Sequence, residues 1–110
     1  MSLYEGLTQQ WQSLTLLGTW SNYSSAYNPA GYFKDAHSVV HLRGLITATM
    51  STSTIATLPT SYRPQYREVF IVLASGLAGR VDVDNLGNII LITGGATYLS
   101  LDGLSFRAYQ

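Results

Sequence analysis

Aromatic rings and hydrogen-bonding groups crowd into one stretch of the chain, residues 20–37. Saccharides are bound by aromatic rings that stack on their C–H faces, flanked by Asp, Asn, His or Arg side chains that bond to hydroxyl groups. Tyr and Trp also give rigid contact area to a protein partner. The stretch therefore predicts a contact surface. Its candidate ligand-binding residues are Trp20, Tyr23, Tyr27, Tyr32, Asp35 and His37, with His41 and Arg43 supporting them at a boundary.

A structural alternative remains open for the same stretch. Trp20, Tyr32 and Phe33 are also residue types that fill a core, and tyrosines often only decorate a loop. For each residue taken singly, the core or loop role is the commoner one. The density of the whole cluster favours a nearby contact surface.

The two histidines, His37 and His41, do not predict a metal site. On a strand, residues four apart share a face but lie about 13 Å from each other, too far to ligate one ion. Only a helix would bring them together, and the β-branched Val39 and Val40 between them disfavour one. His41 is more consistent with a hydrogen-bonded or interface histidine.

Residues 82–93 begin like a calcium loop but lack its ligands. Leu86 occupies the fifth position, where an oxygen ligand is needed, and Thr93 occupies the twelfth, where a bidentate Glu belongs. We predict a strand end that runs into a glycine turn, with Asp82 and Asp84 on one face beside Arg80. A weaker metal site made by the two carboxylates is the alternative.

Catalytic patterns are missing from the sequence. The chain has no Cys, no Gly-x-Ser-x-Gly elbow and no phosphate-binding glycine loop, and Glu occurs only at positions 5 and 68. Neither Glu lies near an Asp cluster that would suggest a glycosidase pair. The sequence therefore predicts no enzyme and no cofactor.

Charge is scarce throughout this single-domain chain of 110 residues. Only 11% of the residues are charged, against about 25% in a typical soluble domain. Uncharged polar residues must cover the surface, or other subunits must share it. The formal net charge is zero, so no basic surface for nucleic acid is expected. No run of eighteen apolar residues exists, and no membrane insertion is predicted.

From residue 13 onward the pattern is typical of β-structure, because Thr, Val, Ile and Tyr dominate between closely spaced turn residues. Residues 21–30 are predicted to form one long polar loop, and Asp102-Gly103 a two-residue type I′ hairpin. Two segments, 70–74 and 89–92, are apolar on both faces, so they lie between layers or against a neighbouring subunit. The predicted strands are 13–18, 31–35, 38–49, 54–58, 68–75, 78–84, 88–93, 97–101 and 104–109.

The N-terminal segment differs from the rest. Tyr4, Leu7, Trp11 and Leu14 alternate at steps of three and four residues, as in the seam of a coiled coil. We predict a short helical stalk remnant or linker over residues 1–12 and a β head domain over 13–110. An amphipathic cap on the body, or part of an expression leader, is the alternative.

Four sequence pieces carry a resemblance to a known family. They are WQSLTLLGTW at 11–20, VHLRGLI at 40–46, IATLP with YRP within 55–64, and YLSLDGLSF at 98–106. In their order and spacing, the chain resembles the C-terminal receptor-binding head, or tip, domains of bacteriophage tail fibres and baseplate proteins. Each piece alone is unspecific. Together they cover nearly all of the chain from residue 11.

The many short strands with regular turns predict an antiparallel β-sandwich or jelly-roll-like fold. The resemblance implies an all-β head that is a homotrimer. It implies non-catalytic adhesion to host cell-surface saccharide, outside the cell, as part of a phage tail tip or fibre. That family has no universal catalytic motif, so no binding residue is carried over from it. The chain departs from the pattern in lacking a long stalk. The main alternative is a structural trimerisation or capping domain without receptor contact, and the least favoured is an accessory part of a polysaccharide-degrading enzyme.

Overall fold

The computed structural model describes residues 10–50 and 53–109. It is all-β, as predicted, and its antiparallel strands form two sheets in a curled, sandwich-like arrangement. A 3-10 helix, Thr60–Tyr62, interrupts the strands. The strands are β1 (Gln12–Ser13), β2 (Ser21–Asn22), β3 (Gly31–Lys34), β4 (Val39–Arg43), β5 (Leu45–Thr47), β6 (Thr54–Thr57), β7 (Glu68–Ala74), β8 (Leu77–Val83), β9 (Asn88–Thr93), β10 (Leu99–Ser100) and β11 (Ser105–Arg107).

The core lies between the two sheets. The smaller sheet has the order β1-β3-β4-β11, and the larger has β2-β5-β10-β7-β8-β9-β6. Val40 and Leu42 of β4 point inward and are fully buried. The other three residues of β4 alternate with them and are half-buried, because successive side chains of a strand point to opposite faces. Val81, Val83 and Leu99 contribute the facing side of the same core.

Gly44 divides what the sequence predicts as one strand over 38–49. The structure has β4 in the smaller sheet and β5 in the larger one, with Gly44 at φ 128° between them. A Cβ at Gly44 would lie 2.5 Å from Ala30 Cα, so only glycine lets the two segments approach. The single-strand prediction is wrong because this residue redirects the chain from one sheet to the other.

The predicted hairpin at Asp102-Gly103 is also wrong. The strands on either side, β10 and β11, belong to different sheets and do not pair. Gly103 alone has a positive φ, at 81°, whereas a type I′ turn needs two such residues. The turn transfers the chain between sheets, with the Leu104 N–H donating to the Leu101 carbonyl at 3.4 Å.

The segment before β3 differs from the prediction as well. Residues 14–18 do not continue the short β1, and Gly18, at φ 61°, starts a turn. β2 then falls inside the predicted polar loop. Leu14, the last residue of the predicted heptad seam, is buried in the domain's own core. Tyr4 and Leu7 lie outside the described residues, and the stalk over 1–12 stays a prediction.

The outer face of the larger sheet carries exposed apolar side chains on β7 and β9, with Arg80 and Asp82 of β8 between these two strands. Within β7, Val72 and Ala74 are buried, while Ile71 between them is 75% exposed. We call the set formed by Val69, Ile71 and Leu73 of β7 with Ile90 and Ile92 of β9 the apolar face. No described residue of the chain covers β7 on this side, so the first of the two alternatives, a strand between two layers, does not describe β7, and packing against a neighbouring subunit stays a prediction.

Candidate functional site

Outward-facing residues of the smaller sheet form a compact group of rings and charges. The register places Phe33 opposite His41 and Gly31 opposite Arg43. Val40 and Leu42 point into the core, so His41 and Arg43 must point outward. We call Trp11, Phe33, Asp35, His41 and Arg43 the sheet-face cluster.

Aromatic contacts order this cluster. The rings of Phe33 and His41 stack with centroids 4.6 Å apart and planes 10° from parallel. The Trp11 ring meets Phe33 edge-on at 4.5 Å, and the guanidinium carbon of Arg43 lies 4.2 Å from the Trp11 ring centroid. Such ring pairs and cation–π contacts restrict the side chains to a few orientations. Phe33 is buried beneath its neighbours, so it positions the cluster while Trp11 and His41 present the outer surface.

A tight turn fixes the carboxylate of Asp35. Its Oδ1 accepts backbone N–H bonds from His37 at 2.8 Å and Val39 at 3.1 Å. Its Oδ2 lies 2.9 Å from His41 Nε2. The hydrogen bond from His41, together with the backbone N–H groups of Val39 and His37, lowers the pKa of Asp35 to about 2. Asp35 is therefore a carboxylate at neutral pH.

Because Asp35 is deprotonated, its charge state determines which nitrogen of His41 donates the hydrogen bond. A carboxylate is only an acceptor, so His41 Nε2 must carry the shared proton. His41 Nδ1 then remains for another partner. The two side chains are about one-third exposed, at 35% for His41 and 33% for Asp35. The pair is thus ordered by the protein and still open to a ligand.

Arg43 keeps hydrogen-bonding capacity that the protein does not use. Its Nε is buried and has no hydrogen-bond partner within residues 10–50 and 53–109. Its side chain forms no ion pair in that part of the chain and rests on Trp11. The cluster therefore combines an acceptor at Asp35, donors at Arg43 and ring surface at Trp11 and His41, with the two charges nearly balanced. This combination suits a hydroxyl-rich, neutral ligand.

Two of the predicted site residues lie in the core. Trp20 and Tyr32 are buried, and Tyr32 packs edge-on against Tyr62 with ring centroids 5.1 Å apart. Burial also raises the pKa of Tyr32 above its ordinary value. The core role that the sequence left open describes both residues, so neither offers a ring face to a ligand.

The remaining predicted residues divide between two places. Tyr23 and Tyr27 are exposed and meet edge-on at 5.7 Å, and Tyr98 joins Tyr23 at 6.0 Å. This tyrosine patch adjoins the larger sheet, because the Tyr23 N–H donates to the Leu45 carbonyl of β5. Exposed His37 belongs to the turn at Asp35 through its backbone N–H.

Trp11 and Phe33 are the site residues that sequence reasoning missed. Trp11 was assigned to the predicted heptad seam, and Phe33 belonged to the aromatic stretch, with a core role as its alternative, but was not a candidate ligand-binding residue. Phe33 lies in β3 and Asp35 directly follows that strand, two positions further along. Because side chains alternate along a strand, this spacing was the available signal that the two residues share a face. The contact of Trp11 with Arg43 depends on the pairing of β1 with β3, which no local pattern reveals.

The two aspartates of β8 and its turn have separate protein partners. Asp82 is fully buried, and its oxygens accept from Arg67 Nε at 2.7 Å and from Arg80 Nε and Nη2, both at 2.9 Å. Asp84 instead accepts backbone N–H bonds from Leu86 and Asn88. These contacts confirm the predicted glycine turn and the pairing of Asp82 with Arg80. In the described ranges, no three His, Asp or Glu side chains group as metal ligands.

The fold is similar to that of a phage receptor-binding protein. One structural neighbour is the receptor binding protein (gp15) of Listeria phage PSA, with a TM-score of 0.76 and 21% sequence identity over 97% of this chain and 70% of that one. No known protein-family profile and no curated protein sequence matches the chain. In the described residues, no helix is long and apolar enough to cross a membrane. The fold that the sequence resemblance implied is therefore confirmed.

Proposed function

We propose that the chain is a non-catalytic receptor-binding head of a phage tail and that it attaches to a saccharide on the host cell surface. The observation that carries this proposal is the His41–Asp35 pair, about one-third exposed, ordered by Phe33 and placed beside Arg43 and Trp11. The fold shared with a phage receptor-binding protein supports the role in attachment. The cluster supports the ligand class.

Each part of the sheet-face cluster matches a feature of a sugar. The Asp35 carboxylate accepts hydrogen bonds from a pair of hydroxyl groups, and Arg43 donates to ring or hydroxyl oxygens. The ring surfaces of Trp11 and His41 cover C–H faces. Because the protein's own contacts already order these side chains, little conformational entropy is lost when the ligand binds.

We propose further that the head acts as a homotrimer joined through the apolar face. Val69, Ile71 and Leu73 are exposed together on β7, in a chain with only 11% charged residues. An apolar surface of this kind marks an interaction site more often than free surface. Three linked copies would present three weak sugar sites at once, which raises the avidity by about 10² to 10⁴ without any new contact.

Binding to cells and glycans tests the sugar site. The labelled full chain is screened against bacterial strains and an array of their surface glycans, and the best target is then titrated with variants. We expect His41→Ala and Asp35→Ala to weaken binding about tenfold or more. Each variant loses hydrogen bonds to the sugar, and the loss is repeated at every linked site of the trimer. His37→Ala provides the matched histidine comparison, because the described structure shows the His37 side chain in no hydrogen bond or ring contact with the cluster and only its backbone N–H bonds to Asp35. Full binding by folded His41→Ala protein would contradict the proposal.

A structural capping domain is the second candidate function. The apolar face favours a capping domain as much as it favours a receptor-binding head, because self-association alone would explain that surface. Under this alternative, the head holds three chains of a fibre in register, caps them and makes no receptor contact. A purified trimer that binds no strain and no glycan would support the capping function.

A further inference from the structure

A cleft opens where the beginning of β7 approaches the end of β11, and its lining shares no residue with the sheet-face cluster. Its volume is about 330 Å³, which falls at the lower end of the range for small-ligand sites. The lining residues are Gln65, Tyr66, Glu68, Arg107, Ala108 and Tyr109. Nothing described above gives this cleft a role.

Two tyrosine rings stand at the cleft with most of their surface exposed. Tyr66 is 73% exposed and Tyr109 is 59% exposed. The backbone beside Tyr109 is nevertheless fixed, because its N–H donates to the Arg63 carbonyl at 2.7 Å and the Ala108 N–H donates to the Ser38 carbonyl at 2.8 Å. Exposed rings on an ordered backbone offer contact area at low entropic cost.

The charges at the cleft are the unusual feature. Across residues 10–50 and 53–109, Glu68 is the one carboxylate without a hydrogen bond or ion pair, since Asp35, Asp82, Asp84 and Asp102 all have protein partners. Arg107 is likewise the one cation in those ranges without a hydrogen bond, ion pair or ring contact. Glu68 and Arg107 line the same cleft yet do not pair with each other.

The net charge of the cleft indicates the kind of ligand. The charges of the Glu68 carboxylate and the Arg107 guanidinium sum to zero. An anionic ligand would be repelled by Glu68, and a cationic ligand would be repelled by Arg107. A neutral ligand rich in hydroxyl groups could use both, accepting from Arg107 and donating to Glu68, with the Gln65 amide able to do either. The tyrosine rings supply the apolar contact that the C–H face of such a ligand needs.

The register of the strands places this cleft beside the sheet-face cluster. Arg107 pairs with Val39 and Ser105 pairs with His41, so Arg107 and His41 share the outer face of the smaller sheet. Val39 and His41 are two residues apart, a span of about 7 Å along a strand. Glu68 pairs with Val83 and lies on the opposite face of β7 from Ile71. The cleft therefore stays open when the apolar face is covered.

We infer that this cleft is a second saccharide subsite, which takes a neutral, hydroxyl-bearing unit of the glycan bound by the sheet-face cluster. The ligand class rests on the proposed function, but the residues are different. Two adjacent subsites would distinguish a chain of sugars from a single sugar. Specificity for a glycan would then come from the linkage between units as well as from the units themselves.

Backbone amide NMR on the full chain tests the subsite. The probes are N-acetyl-D-glucosamine, D-galactose and L-rhamnose, each titrated separately into labelled protein. We expect at least one probe to shift the amides of residues 65–68 and 107–109 saturably, with a Kd of about 1 mM or weaker. Tyr66→Ala should weaken that binding about threefold to tenfold, and Glu68→Gln should weaken it as well.

Matched variants separate this inference from the proposed function. Tyr27→Ala removes an exposed tyrosine elsewhere, and His41→Ala disables the sheet-face cluster, so both should leave the shifts at the cleft in place. Shifts confined to the sheet-face cluster would overturn the subsite and leave the proposed function standing. The subsite is also overturned by shifts at the cleft that persist unchanged in folded Tyr66→Ala, or by no saturable shift at the cleft with any probe.

Discussion

The two oxygens of Asp35 have separate tasks. Oδ1 holds the turn through two backbone N–H groups, while Oδ2 faces His41 and the open side of the sheet. A turn carboxylate thereby becomes part of a ligand surface without losing its structural contacts. The same residue links local folding to the proposed recognition chemistry.

Acid should destabilise the protein partly through Asp35. Its pKa falls from the ordinary 3.8 to about 2 in the folded chain, so its stabilising effect is complete above pH 3.8 and is lost as the pH falls towards 2. Melting temperatures at about pH 5 and about pH 2 measure this loss. Asp35→Asn should lose less stability than wild type over that interval. The pKa of Asp82 is also lowered, so some acid sensitivity should remain. Equal losses in both proteins would contradict the role of Asp35.

Asp82 makes a larger structural contribution. It is fully buried and accepts three charged N–H bonds from Arg67 and Arg80, whose side chains are about half exposed. Solvent around the arginines weakens the pairing, so we expect Asp82→Asn to cost about 2 kcal/mol rather than the value for a wholly buried pair. Denaturant unfolding measures the loss. Glu68→Gln, which breaks no contact, should change stability by less than about 0.5 kcal/mol.

Among the elements, the strands rich in β-branched or aromatic residues between turn residues could be predicted from sequence. β3, β7, β8 and β9 lie within a residue or two of their predicted bounds. The pattern could not show which sheet a strand joins, because apolar periodicity reports burial and not the partner strand. Gly44 and Gly103 therefore misled the prediction where the chain changes sheets. For the same reason, Asp35, His41 and Arg43 were identified as candidates, but their meeting with Trp11 was not.

Glycine at the sheet crossover should be far less replaceable than glycine at the later turn. At Gly44, φ is 128° and a new Cβ would meet Ala30 backbone at 2.5 Å, whereas at Gly103 φ is 81° and nothing lies within 4 Å. We expect Gly44→Ala to cost about 3 kcal/mol or more and Gly103→Ala about 1 kcal/mol. Denaturant unfolding of the two variants side by side checks the order. Similar losses would show that the crossover tolerates a side chain.

In the molecule as a whole, the surfaces proposed for self-association and for ligand binding belong to different sheets. The apolar face lies on the larger sheet, and the sheet-face cluster lies on the smaller one. Covering the first surface does not require burying the second. The proposed trimer would therefore leave the proposed sugar sites exposed.

Light scattering behind a sizing column tests the proposed trimer. The wild-type mass should be near three times the 12.0 kDa of one chain. Ile71→Lys places a second cation directly opposite Arg80 on this face and should give a folded monomer, because Ile71 makes little contact within its own chain and an interface would have to bury two like charges together. Leu86→Lys, at an exposed leucine in a turn outside that face, is the matched control and should remain trimeric. A monodisperse wild-type monomer, or a trimeric Ile71→Lys variant, would contradict the assignment.

The borders of the two sheets bear on how copies of this chain behave when crowded. The strands at those borders are β1, β11, β2 and β6, with two, three, two and four residues in the described structure. Short border strands offer few free backbone groups for another chain to extend, so ribbon-like growth into fibrils is disfavoured. Exposed apolar surface is instead concentrated on the broad apolar face, where a rotationally symmetric oligomer can form and close. We therefore expect concentrated solutions to hold particles of one finite size and to remain free of fibrils.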